Sequence, residues 1–249
     1  MVRCMTIRVD DVSAGVRLLT IDRQERKNAF DQRTYHELAD ALSAAASDDA
    51  IHVVVLTGAG NTFSSGQDLQ ELTALASGEI SGANGFPSLL QALESFGKPL
   101  LAAMNGAAVG IGATMLLHVD LVYVSSVGRL RFPFAEMGVP PEAGASALLG
   151  DRVGWQSAAD LLFSARWVDA DESVALGLAI AKVSPDELLG TVIASATQIA
   201  ARSPFAVQTA KRLMLESRGN RSCDARARED AAFASLFARQ RISSETADS

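Results

Sequence analysis

Short runs of β-branched and aliphatic residues punctuate the first half of the chain, at 16–21, 53–57, 100–104 and 121–124, each bounded by turn-forming residues. Between them the apolar positions change period. Tyr35, Leu38, Leu42 and Ala45 recur at three- and four-residue spacing after Asp31, which predicts a helix from that N-cap to about Ala46 with one face laid on a sheet. Strands alternating with helices in this way predict an α/β fold. Further helix starts carry a capping side chain: Asp169 with Glu172 three residues on, Ser184 before Pro185 with Glu187, and Ser203 before Pro204. From about Ser157 the pattern reads as all-helical. The expected division is a spiral or layered α/β core over 1–190 and a helical C-terminal module over 191–249. Residues 72–87 include Ser77, Gly78, Ser81, Gly82, Asn84 and Gly85 and are expected to form a mobile loop.

Composition narrows the class. Of 249 residues 48% are hydrophobic, enough for a sizeable core, and the 19 Gly and 7 Pro fall well short of a disordered or collagenous chain. The net charge of −7 argues against a general nucleic-acid or anionic-membrane binder. Charge is nevertheless segregated, because residues 201–241 hold nine Lys/Arg against four acids. Solvated helix faces, or pairing with an acidic neighbouring subunit, account for that excess more simply than phosphate binding does. Cys4 and Cys223 stand near opposite ends without CxxC spacing, which suggests neither a disulfide framework nor a thiolate metal site. No apolar run reaches the roughly 20 residues of a membrane span. Charges at Arg3, Arg8, Asp10 and Asp11 interrupt the start, and the expectation is a cytoplasmic protein.

The usual catalytic signatures are missing. His36, His52 and His118 lie apart without HExxH spacing, and no GxSxG elbow or GxxxxGK[ST] loop occurs. Two segments share a different format, a strand running into a small-residue turn and then a helix. One is 53–58 followed by Phe63-Ser64-Ser65-Gly66-Gln67-Asp68-Leu69, and the other is 99–106 followed by Val109-Gly110-Ile111-Gly112-Ala113-Thr114. Small residues let backbone N–H groups approach a ligand, and two such turns facing each other would make an oxyanion hole. Glycines that merely permit tight packing are the alternative for either turn taken singly. A dinucleotide fingerprint at 106–112 fails on spacing, which is GxxxGxG, and no suitable acid follows about 20 residues on.

Together these segments resemble the crotonase (enoyl-CoA hydratase/isomerase) superfamily over nearly the whole chain. Glu25-Arg26-Lys27-Asn28-Ala29-Phe30 is similar to that family's early CoA-contacting strand end, 63–69 to its first oxyanion segment, and 105–114 to its second. Residues 157–178 and 203–214 are similar to its C-terminal helices. The resemblance implies a spiral of ββα units with a helical trimerisation module, an acyl-CoA thioester substrate, and a homotrimer or dimer of trimers. It places the oxyanion N–H groups on Gln67 and Ile111. It places CoA and substrate contacts at Arg26, Lys27, Ala29, Ser64, Ser65, Gly66, Asp68, Leu69, Gly110, Thr114 and Phe134, with Lys211 as a candidate for the ribose phosphate. Coenzyme A enters as part of the substrate. No metal or redox cofactor is implied.

The acid/base residues depart from the hydratase pattern. Where hydratases of the family carry two glutamates, this sequence has Thr114 and Phe134, and neither can act as a carboxylate base at neutral pH. A third position survives. The segment from Pro133 to Ser146 is similar to that of one group of 3-enoyl-CoA to 2-enoyl-CoA isomerases, in which the acid after the proline shuttles the proton; the phenylacetate-pathway epoxide isomerases, which resemble the 105–114 segment, place an aspartate there. The acid at that position is Glu142 here, with Glu136 as an offset competitor. The resemblance therefore implies an isomerase using Glu142. A hydratase or other enolate enzyme, and a non-catalytic acyl-CoA-binding protein, stand as alternatives.

Overall fold

The computed structural model describes residues 5–76 and 85–247. Two sheets form its centre. The larger has six strands in the order β1 (Ile7–Ser13), β2 (Val16–Ile21), β3 (Val53–Gly58), β5 (Leu100–Met104), β7 (Leu121–Ser125) and β10 (Ala181–Val183). The smaller has four, β4 (Thr62–Ser64), β6 (Ala107–Val109), β8 (Arg129–Arg131) and β9 (Trp167–Val168). Each of β3, β5 and β7 is followed at once by a strand of the other sheet. The chain thus winds as a spiral of α/β repeats, with parallel pairing everywhere except β1 with β2 and β8 with β9.

All four strand runs read from the sequence are strands of the larger sheet. Their near-continuous hydrophobicity follows from burial on both faces. Val54, Leu56, Leu100, Ala102 and Met104 point into the main core, while Val53, Val55, Leu101 and Ala103 meet Leu188, Val192, Ala196 and Ala200 on the opposite side.

The helices are α1 (Gln32–Ser47), α2 (Leu69–Ala76), α3 (Phe86–Ser95), α4 (Ile111–Thr114), α5 (Ala145–Val153), α6 (Trp155–Ser164), α7 (Ala170–Ala175), α8 (Pro185–Ala200), α9 (Pro204–Arg218) and α10 (Arg221–Ala247). The caps hold as read at α1, where the Asp31 carboxylate accepts the Thr34 N–H at 2.7 Å, and at α7, where Asp169 accepts that of Glu172 at 2.9 Å. At α8 the Ser184 hydroxyl instead donates to the Glu187 carboxylate at 2.5 Å. The region after Ser157 is not all-helical. β9 and β10 interrupt it, each short enough to leave little periodicity, and each closes the edge of a sheet. Residue 190, where the sequence divides core from module, lies inside α8, whose apolar face covers the larger sheet. Of the expected loop at 72–87, residues 72–76 belong to α2, 85–87 cap and begin α3, and 77–84 lie outside the described residues. Among the described residues no helix is long and apolar enough to cross a membrane.

Candidate active site

The spiral brings the two small-residue turns against each other. After β4 the chain forms an isolated parallel bridge between Phe30 and Gln67, in which the Phe30 N–H donates to the Gly66 carbonyl at 2.7 Å and the Asp68 N–H donates to the Phe30 carbonyl at 2.8 Å. A parallel bridge of this kind uses the groups on either side of Gln67 and turns its own N–H to the opposite side. Across from it, Gly110 leads into α4, and its carbonyl accepts the Ala113 and Thr114 N–H groups, both at 2.9 Å. Neither the Gln67 N–H nor the Ile111 N–H has an acceptor among the described residues.

Glycine is required where the turns touch. Gly66 has φ +94°, and a Cβ there would lie 2.7 Å from the Val109 carbonyl oxygen. A Cβ on Gly112 would lie 2.7 Å from that of Ser64. Buried side chains lock the first segment in turn. The Ser64 hydroxyl donates to the Asn28 carbonyl at 2.8 Å and accepts the Gly66 N–H at 3.1 Å. Asn28, fully buried at φ 55°, donates to the carbonyls of Ala59 and Thr62. Lys27 shares that left-handed conformation, and its carbonyl accepts the Ser65 N–H at 3.0 Å, so the Arg26–Lys27 turn is tied to the segment carrying Gln67.

Glu142 sits on the turn before α5. Its neighbour Ala143 has φ 59°, is fully buried, and is held through its carbonyl by the His118 ring at 2.8 Å. Glu142 itself is half-buried, with its carboxyl deep among protein atoms, and no hydrogen bond or cation reaches that carboxyl among the described residues. Burial, with the nearby charge of Glu229 adding to it, pushes Glu142 up to about 7. A carboxyl poised there can both take and return a proton near neutral pH.

Tyr35 is bonded to the Gln67 segment and lies within the field of Glu142. From α1 its buried hydroxyl donates to the Gln67 side-chain oxygen at 2.6 Å. Burial first, then the charges of Glu142, Glu71 and Asp31, push that phenol well up, so it remains a donor. Beside it burial raises Glu71, which accepts the Gln32 N–H at 2.8 Å.

The remaining expected residues divide. Arg26 and Lys27 are exposed, Arg26 donating to Gln70 at 2.6 Å. Ser65, beside them, and Gly110 are half-buried, and Leu69 is exposed. Ala29 is buried and its carbonyl accepts from Arg23 at 3.1 Å. Thr114 and Phe134 are both buried, and the Thr114 hydroxyl has no hydrogen-bond partner among the described residues. Two of the expected side chains have partners within the chain. The Lys211 ammonium is engaged within the chain, donating to the Lys98 carbonyl at 2.7 Å and to the Asp120 carboxylate at 2.8 Å in a partly buried ion pair that a ribose phosphate would have to compete with. The Asp68 carboxylate is likewise occupied. It pairs with Arg23 at 2.7 Å and caps α2 through the Gln70 and Glu71 N–H groups, and although burial opposes its charge these bonds hold it below the usual carboxylate range. Glu136 is exposed and paired with Arg131, whereas no cation pairs with Glu142 among the described residues.

Glu229 and Tyr35 were not singled out from sequence as site residues. Glu229 lies on a mostly polar helix, 85 residues from its hydrogen-bond partner Gly144, and no local pattern marks it. Tyr35 had a signal: a phenol on the apolar stripe of α1, whose hydroxyl must find a partner once buried.

The enoyl-CoA hydratase/isomerase family model matches residues 11–247. The chain is 33% identical over 205 residues to 2,3-dehydroadipyl-CoA hydratase of Escherichia coli K12, covering 81% of this chain and 79% of that protein. It is 34% identical over 194 residues to enoyl-CoA delta isomerase 2 of Rattus norvegicus, covering 76% of this chain and 49% of that one. The crystal structure of an enoyl-CoA hydratase/isomerase from Pseudoalteromonas atlantica T6c aligns with a TM-score of 0.87 at 36% identity, over 92% of this chain and 90% of that one. A hydratase and an isomerase stand equally near in sequence, so likeness alone does not choose the reaction. With the spiral fold, the paired turns and a match along almost its full length, the chain belongs to the enoyl-CoA hydratase/isomerase family.

Proposed function

We propose that the protein is an acyl-CoA isomerase that moves a double bond from the 3 to the 2 position of an enoyl thioester, with Glu142 as its one base. The observation that carries this reading is the Glu142 carboxyl: half-buried, free of hydrogen bonds and cations among the described residues, and raised to about 7. The two positions where hydratases of the family carry glutamates hold Thr114 and Phe134, leaving no second carboxylate there to activate water.

In the proposed reaction the Glu142 carboxylate removes a proton from C2 of the 3-enoyl thioester. The C–H electron pair enters the π system, and the thioester oxygen takes negative charge. The Gln67 and Ile111 N–H groups receive that oxyanion, a contribution typically worth on the order of 10² to 10³ in rate per donor. Protonated Glu142 then returns the proton to C4, the carbonyl re-forms, and the double bond lies between C2 and C3. No external oxidant or permanently bound cofactor is needed, and coenzyme A arrives and leaves with the acyl group. Arg26 and Lys27 supply exposed positive charge for its phosphates. A cytoplasmic homotrimer or dimer of trimers fits this reading.

The test is absorbance growth from a conjugated 2-enoyl thioester when the protein is added to 3-enoyl-CoA. Glu142→Gln should lower that rate by about 10² or more while thioester binding persists. Equal rates in the two proteins would defeat the assignment, and binding without turnover in the wild type would favour an acyl-CoA-binding protein.

A further inference from the structure

α10 reaches back across the fold and places a buried carboxylate, that of Glu229, near the half-buried Glu142. Ser222, Ala225 and Glu229 recur on one helical face and are all buried. The upper part of that face is anchored to α3, the Ser222 hydroxyl donating to Glu94 at 2.8 Å and Arg226 pairing with the same carboxylate at 3.5 Å. One turn further on, Glu229 is 4% exposed, and each of its oxygens takes a backbone N–H: that of Gly144 at 2.7 Å and that of Ser146 at 2.8 Å. These two N–H groups bracket the start of α5, immediately after Glu142. The same turn is closed by the Ala145 N–H donating to the Glu142 carbonyl at 3.0 Å.

We propose that Glu229 is a positioning residue for Glu142: from α10 its carboxylate clamps the Gly144 and Ser146 N–H groups, fixing the direction of the Glu142 side chain and the negative charge that it faces. The inference rests on Glu142 being the base. The groups bearing on Glu142 are few. Glu229 faces it from α10, the protonated phenol of Tyr35 from α1, and below the turn lies His118, which burial keeps neutral near pH 7. Glu71 and Asp31 bear on Tyr35, and Glu94, Arg218 and Arg226 bear on His118. No Lys or Arg pairs with Glu142 or Glu229 among the described residues. The clamp therefore works through two effects, geometry by its hydrogen bonds and proton affinity by its charge.

Glu229→Gln separates them from mere stability. An amide has one acceptor oxygen, so one N–H of the pair loses its partner, and the charge facing Glu142 disappears. The expected result in a protein that melts cooperatively is a kcat lower by about tenfold, KM within about twofold, and an acid limb of the pH–rate profile moved down by roughly one unit. The direction follows because a base without a negative neighbour ionises at lower pH. An unmoved limb with unchanged kcat overturns the proposal. Should Glu229→Gln fail to fold, Glu229→Asp keeps the charge and withdraws it by one methylene: a reduced kcat with an acid limb no lower than that of the wild type supports the clamp, and an unchanged kcat overturns it. Glu142→Gln is run beside them. Activity surviving there overturns the base assignment and this inference with it, whereas an inactive Glu142→Gln beside an unaltered Glu229→Gln overturns this inference alone.

Discussion

The oxyanion side of the site and the acid side are built by opposite means. Gln67 and Ile111 are presented by the main chain, each at the end of a strand-to-turn unit, and the turns fit because Gly66 and Gly112 leave no side chain between them. In the proposed mechanism the reactive groups on this side are backbone N–H groups, so what matters is the path of the chain. Glu142 is a side chain on a turn with a left-handed alanine, held from beneath by His118 and from above by a glutamate 85 residues from its partner. One side is made rigid by local geometry and the other by long-range packing. The reaction needs both: a fixed cradle for charge, and a carboxyl whose proton affinity is set by its surroundings.

Breaking the acid side should have the larger consequences. Besides its loss of rate, Glu142→Gln should make the protein more stable at alkaline pH. Between the usual glutamate value of 4.5 and about 7 the folded protein retains a proton that the unfolded chain has released. Glu142 therefore destabilises the fold increasingly as pH rises through that window, by up to about 3 kcal/mol above it. Denaturant unfolding of wild type and Glu142→Gln at pH 5 and pH 8 checks this, with the gap between them opening on the alkaline side. The same stability gap at both pH values would mean that the carboxyl is not held up by its burial.

The oxyanion side is broken by adding one methyl. Gly66→Ala places a Cβ 2.7 Å from the Val109 oxygen at a φ that L-residues rarely adopt, so the turns must part. The expected loss is about 10² in kcat/KM, read by the absorbance assay on protein shown by its melt to be folded. The smallest effect belongs to the rim. Arg26→Ala removes an exposed charge held by Gln70, and should raise KM about threefold with kcat unchanged, the difference shrinking as salt is added.

The same contrast explains what was legible in the sequence. The strands at 16–21 and 53–58 and the capped helix α1 follow from local pattern and were visible as such. So were the turns carrying Gln67 and Ile111, because close backbone approach leaves a signature in small residues. The strands β9 and β10 were hidden by their shortness, two and three residues that a helical context absorbs. The internal partners of Lys211 were hidden because only packing reveals that Asp120 and the Lys98 carbonyl hold it. Glu229 was invisible for a deeper reason: its partners are backbone N–H groups, which every sequence position possesses.

The central claim is that one carboxyl moves a proton and no water is added, and the most direct test is the fate of oxygen. Incubating 3-enoyl-CoA with the protein in ¹⁸O-enriched water and weighing the acyl products by mass spectrometry distinguishes the two chemistries in one experiment. The account predicts 2-enoyl-CoA of unchanged mass as the main product, with negligible ¹⁸O-labelled 3-hydroxyacyl-CoA at early times. A labelled hydroxyacyl product that dominates from the start would contradict it.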